Sequence, residues 1–275
     1  MENAKLKNAV LSPENLTCFE QNGYVYLPKA FSRGDALAIQ DSFWSQMQEQ
    51  GIDRDDRSTW PTDLWPSLKL KDNPSLESRI TTPRLCGAIN QLLGSNNWHV
   101  PHRWGGYLIS FPTGIAQDWE LTSQAWHWDD TLINHFGQCN TGLFIFTFYS
   151  DVQAKGGGTL VVSGSHRLIE QFFHRLSPKD QRLKQKALKR QFAQSQPWLA
   201  ELTGLTSEYA NRTQRFMEET TEVDGVPVKV IEVTGDPGDA YLCHPAIYHA
   251  RSPNHAEVPR FMRVKGLVKQ TDPSI

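Results

Sequence analysis

Ala125-Trp126-His127-Trp128-Asp129-Asp130, residues 125–130, is the most informative stretch of this 275-residue chain. In an extended strand successive side chains alternate faces, so His127 and Asp129 point the same way. One imidazole and one carboxylate on a shared face can hold a metal ion. A lone His-x-Asp is a common tripeptide, however, and its ordinary use is as a turn cap or surface pair. A second signal is needed, and it comes far downstream in Gly238-Asp239-Ala240-Tyr241-Leu242-Cys243-His244-Pro245-Ala246-Ile247-Tyr248-His249, followed by Arg260. A jelly roll can bring a late strand beside an early one, so His249 can complete a set of two histidines and one carboxylate. Three coordination positions stay open. Mixed nitrogen and oxygen ligands with open positions suit redox-active iron(II) better than a closed structural zinc site.

The surroundings of these two stretches read as β structure. Short runs of β-type residues occur at 106–111, 126–128, 143–149, 159–163, 226–233, 240–243 and 261–268, separated by Gly, Pro, Asn and Asp. Their succession predicts a sandwich or jelly roll. Upstream, Ser-Pro at 12–13 opens an amphipathic helix that stops at Asn22-Gly23, and Tyr24-Val25-Tyr26-Leu27 reads as a strand. Further helices follow Ser32 and Thr82-Pro83, the last ending at Gly94, with a long irregular connection at 51–73. The segment 167–222 reads as mostly helical, and 179–192 within it carries six basic residues against Asp180 alone. Its plain use is a solvated helix face; the alternative is a lid or docking surface for an acidic substrate.

Composition narrows the class further. With 28 Lys plus Arg against 30 Asp plus Glu, the net charge of −2 gives no electrostatic basis for binding nucleic acid or a membrane surface. An apolar content of 39% is enough for a packed core. Four scattered cysteines, Cys18, Cys86, Cys139 and Cys243, show no paired spacing and read as reduced thiols. The start shows no secretory pattern and no apolar run is long enough to span a bilayer, so a soluble cytoplasmic protein is expected.

The blocks Phe19–Leu27, His127-Trp128-Asp129, Gly156–His166 and Gly238–Arg260, in that order, make the chain resemble the phytanoyl-CoA dioxygenase family of iron(II)- and 2-oxoglutarate-dependent oxygenases. The resemblance implies a mainly β, α+β fold: a double-stranded β-helix of jelly-roll or cupin-like form. It also implies one domain over 1–275, with flanking helices and a first strand at 1–97, the core at 98–166 and 223–270, and the helical insertion at 167–222. His127, Asp129 and His249 match the family's iron ligands. Arg260 matches the arginine that pairs with the distal carboxylate of 2-oxoglutarate, a role a planar guanidinium fills bidentately and lysine cannot. The implied reaction consumes O2 and 2-oxoglutarate, releases succinate and CO2, and hydroxylates an unactivated C–H bond of a small organic molecule. Desaturation, epoxidation and ring formation share the ligand set. Halogenation is disfavoured, because halogenating relatives lack the carboxylate that Asp129 supplies. Against this stand two other readings: a cupin-like metalloenzyme that does not use 2-oxoglutarate, and a jelly-roll binding protein without catalysis.

Departures from the family pattern bear on the cosubstrate. Where relatives carry a serine two residues after the second histidine, this chain has Arg251, with Ser252 next; Ser252 or Thr147 is the candidate hydroxyl beside Arg260. Where many relatives place a lysine before His-x-Asp, Ser110-Phe111-Pro112 stands. His244 is the rival to His249, although strand parity and Pro245 set the two apart. Asp130 reads as a turn or cap residue and His166 as structural; His99, His102, His135, His174 and His255 have no spacing argument. Trp126 and Trp128 should face away from His127, while Trp104, Tyr107, Trp119 and Phe146 are candidates for the pocket mouth. Arg103 and Arg251 are candidates for an anionic substrate group.

Overall fold

Ser12 caps the first helix, α1 (Pro13–Asn22), with its side chain on the Asn15 N–H, and Pro13 supplies the fixed first turn. The helix stops at Gly23, whose φ of +79° is left-handed. A Cβ there would also lie 2.5 Å from Nδ1 of His166, so only glycine lets the chain turn at this point into β1 (Tyr24–Leu27). Ser32 caps α2 (Arg33–Gln48), and Asn73 caps α3 (Pro74–Ile80). Thr82 with Pro83 opens α4 (Pro83–Leu93), which ends at Gly94. The computed structural model describes residues 9–63, 66–113, 118–129, 142–206 and 211–270. Asp130, His135, Cys139 and the first five residues, on which expectations were placed, lie outside these.

The remaining strands are β2 (Gly106–Ser110), β3 (Gly142–Phe148), β4 (Leu160–Ser163), β5 (Thr221–Val223), β6 (Val226–Glu232), β7 (Ala240–Cys243), β8 (His249–Ala250) and β9 (Arg260–Val268). They form two antiparallel sheets, β1-β7-β3-β9-β2 and β5-β6-β4-β8. This is the double-stranded β-helix expected of the chain. One difference is local: 126–128 does not form a strand, and only His127 pairs, as an isolated bridge to His249.

Alternation along the strands sorts the core into layers. Phe144, Phe146 and Phe148 of β3 meet Val161, Cys243, Ile247 and Met262 between the sheets. On the outer face of the five-stranded sheet, Leu143, Ile145, Leu242 and Phe261 pack against α2 and α4 through Ile39, Phe43, Leu85 and Ile89. On the outer face of the four-stranded sheet, Leu160, Val162, Val228 and Val230 pack against the helices between β4 and β5. Those helices are α5 (Ser165–Arg175), α6 (Gln185–Gln194) and α7 (Pro197–Leu202), followed by a π-helical turn at Gln214–Glu218. The insertion expected to be helical thus ends in a strand, since Thr221 and Glu222 belong to β5. Among the described residues no helix is long and apolar enough to cross a membrane.

Where α1, β7 and α5 meet, two histidines are buried together. The rings of His166 and His244 lie 4.8 Å apart, Phe19 stands 6.2 Å from His244, and His166 Nε2 is 3.0 Å from the Glu20 carbonyl. Burial lowers His166 from 6.5 to about 4 and His244 to about 3. The unfolded chain therefore takes up protons near pH 6.5 that the folded chain refuses until near pH 4. Stability from this pair is complete above pH 6.5 and is lost as pH falls below it. Between pH 7 and 5 the loss is roughly 3–4 kcal/mol. Urea denaturation at the two pH values checks this, and a midpoint independent of pH would remove the account.

Candidate metal centre

The bridge between His127 and His249 is made by two backbone hydrogen bonds, of 2.9 and 2.8 Å, which set the two residues directly opposite each other. His249 is in turn opposite Val161 of β4, and Val161 opposite Ile231 of β6. Side chains in one cross-strand row share a face, and Val161 faces the space between the sheets. Both imidazoles therefore point inward, their rings 4.3 Å apart. Trp126 and Trp128, on either side of His127, turn the other way and are buried against the insertion. The parity argument made from the bare tripeptide holds even without a strand.

Asp129 completes the cluster. Its Oδ1 lies 3.7 Å from His127 Nε2 and its Oδ2 lies 3.8 Å from His249 Nε2. The ligand atoms of the three residues all fall within 4.8 Å of one another, and among the described residues no other group of three such side chains could hold a metal. Each ring is fixed from behind: His127 Nδ1 is 2.7 Å from the carbonyl of Ala125, and His249 Nδ1 is 3.0 Å from that of Ile247. Hydrogen bonding to a carbonyl places the proton on Nδ1 and leaves the Nε2 lone pair facing Asp129, as a metal requires. Burial, with His127 alongside, holds the His249 imidazole below its ordinary pKa and hence neutral. The residues fit an iron(II) ion: one carboxylate oxygen, two imidazole nitrogens, and the rest of the coordination sphere left to other ligands.

Arg260 begins β9 opposite Ser110 of β2, and alternation with Met262 turns it toward the same interior. It is 3% exposed and donates to the Gly157 carbonyl. Burial lowers its pKa to about 10, with the charge of Glu232 working against that shift, so it stays cationic at neutral pH. Glu232 had no role in the sequence reading. Its carboxylate accepts the Lys155 N–H at 2.6 Å and the Gly158 N–H at 2.8 Å, gripping both ends of the glycine loop from which Arg260 holds the middle. Burial raises the Glu232 pKa, and the two backbone bonds, the Ser252 hydroxyl and Arg260 pull it down. Ser252, buried, also accepts a 3.2 Å bond from Trp119 Nε1, so it joins the Arg260 neighbourhood and brings Trp119 with it.

Several expected positions are corrected. Thr147 does not face Arg260: it shares the face of Ile145 and Tyr149, and its Oγ1 is 2.9 Å from the Tyr149 hydroxyl, toward the N-terminal helices. Trp104 and Tyr107 belong to that same outer layer, with Trp104 Nε1 on Thr81 and the Tyr107 hydroxyl on Asp72. Arg103 pairs with Asp72 there as well. Phe146 lies between the sheets. His244 sits just beyond the end of β7, against His166 and Phe19. Arg251 is exposed, and its charge is felt by Arg260.

Residues 19–262 match the model of the family described as phytanoyl-CoA dioxygenase (PhyH). No curated protein matches the sequence. Among solved structures, the non-heme alpha ketoglutarate dependent carbocyclase SnoK from nogalamycin biosynthesis superposes with a TM-score of 0.54 at 16% identity, over 95% of this chain and 85% of its own. EctD from S. alaskensis, solved with 2-oxoglutarate and 5-hydroxyectoine, gives a TM-score of 0.51 at 14% identity, over 95% and 77%. At such identities the likeness is one of fold. The family match spans both sheets and the insertion: the chain belongs to the phytanoyl-CoA dioxygenase family, and is an oxidoreductase of the iron- and 2-oxoglutarate-dependent kind.

Proposed function

We propose that His127, Asp129 and His249 hold the iron, that Arg260 receives the distal carboxylate of 2-oxoglutarate with Ser252 beside it, and that the product is a hydroxylated small molecule. One observation carries this reading: three ligand atoms converge while both imidazoles are tied through Nδ1 to backbone carbonyls. Iron, when bound with 2-oxoglutarate, supplies the oxidising power for attack on an unactivated C–H bond. The chain's part is to aim both imidazoles, each tied through Nδ1 to a backbone carbonyl, and to bury a guanidinium where a carboxylate can reach it. Wet surroundings would weaken that grip; the interior between the sheets strengthens it. The three described cysteines, Cys18, Cys86 and Cys243, are unbridged, which supports the cytoplasm as its compartment.

The test is anaerobic titration with iron(II) and 2-oxoglutarate, followed by measurement of succinate in air against a panel of small organic substrates. Binding of neither would remove the reading. Arg260→Lys keeps a positive charge but loses the planar fork. The expected result is a KM for 2-oxoglutarate raised about 100-fold, with iron affinity unchanged. A wild-type KM in this variant would mean that the distal carboxylate is held elsewhere.

A further inference from the structure

The arm that carries His127 and Asp129 is held under strain. Ala125 adopts φ +62°, left-handed for a residue with a Cβ, and it is the Ala125 carbonyl that meets His127 Nδ1. Such a conformation persists only where its surroundings enforce it. The enforcement comes from the insertion. Arg212, buried, sends Nε to the Leu121 carbonyl at 3.0 Å and Nη2 to the Thr122 carbonyl at 3.3 Å. The same guanidinium reaches Glu201 O at 3.0 Å and Leu202 O at 2.6 Å, carbonyls in the last turn of α7. One side chain thus ties the start of the ligand arm to the insertion through four backbone carbonyls. Thr122 O also accepts Trp126 Nε1 at 3.0 Å, and Trp126 stacks on Tyr248, the residue before His249. A second contact presses from the same side: at Gly204, φ +67°, a Cβ would come 3.1 Å from Ser123 Cβ.

We propose that Arg212 is a positioning residue for the metal site: it holds 121–125 in the shape that fixes the tautomer and aim of His127. The insertion is then a fixed wall of the site on this side, and its integrity sets metal affinity. This rests on His127 being a metal ligand, as proposed above. Lysine at 212 offers a point charge that cannot serve four carbonyls. His249 is the internal control, since its Nδ1 partner, Ile247, lies outside the clamp.

Two measurements on Arg212→Lys test the idea: histidine ring ¹⁵N NMR of the metal-free chain, and Co(II) titration. The expected result is that His127 loses its Nδ1–H preference while His249 keeps its own, and that the Co(II) dissociation constant rises about 10- to 100-fold. Unchanged His127 shifts and affinity would overturn it. So would equal changes at His127 and His249, which would mark general loosening. Should Arg212→Lys fail to fold, Gly204→Ala disturbs the same arm through Ser123 and is read in the same way. A wild-type chain that binds no Co(II) would overturn the metal assignment, while the tautomer comparison would still decide the clamp.

Discussion

His249→Ala brings iron-dependent succinate formation down to background, a loss on the order of 10³-fold or more. Alanine keeps the two backbone hydrogen bonds to His127 and the pairing with Val161, so the sheet survives while the third ligand goes. The remaining pair, His127 and Asp129, leaves the ion without its most buried partner. His244→Ala is the informative contrast. It removes a ring packed on His166 and Phe19, so it lowers stability, yet it should bind iron as the wild type does. Anaerobic iron titration of both variants, alongside thermal unfolding, separates the two. Full iron affinity in His249→Ala would refute the ligand set.

Glu77→Ala has the largest expected effect on stability, about 3–5 kcal/mol. Arg263 is fully buried on the outer face of the five-stranded sheet, and its guanidinium is shared among Glu77, Asp72 at 2.9 Å and the Gly105 carbonyl at 2.6 Å, with the Tyr107 ring 4.8 Å away. Glu77 uses its second oxygen on the Trp104 N–H at 2.9 Å. Removing it leaves the buried cation with Asp72 as its one acidic partner and strands a buried amide at once. At this chain length the melting temperature should fall by roughly 6–15 °C. Replacing Arg263 and Glu77 together by apolar residues should cost less than Glu77→Ala alone, because the buried cation leaves with its partner while Asp72 keeps Arg103. A single substitution that leaves the melting temperature unchanged would show the network to be idle.

The convergence of His127 and Asp129 was legible because period-two alternation needs only neighbours in sequence, and these two residues supply it. Arg260 was legible through the family's spacing from His249. Thr147 was misplaced for a physical reason: every position of β3 is buried, so hydrophobicity carries no record of which face looks into the site. Trp104 and Tyr107 failed likewise, being aromatic and near in sequence but on the outer layer. Glu232 and Arg212 act on backbone groups of distant segments. Nothing in a residue's type announces which carbonyl it will meet. The insertion's basic run gave no hint of its tie to the ligand arm, since that tie is made by an arginine downstream of it.

Among the described residues, β8 lies at the margin of its sheet, only two residues long, and His127 is what satisfies its outer side. An open strand margin is a template for pairing with another molecule. An ion held by His127 and His249, as proposed above, would reinforce their backbone bridge and so also keep that template shut. Preparations stripped by chelators should be the ones that precipitate on storage, and reloading before concentration should keep them clear.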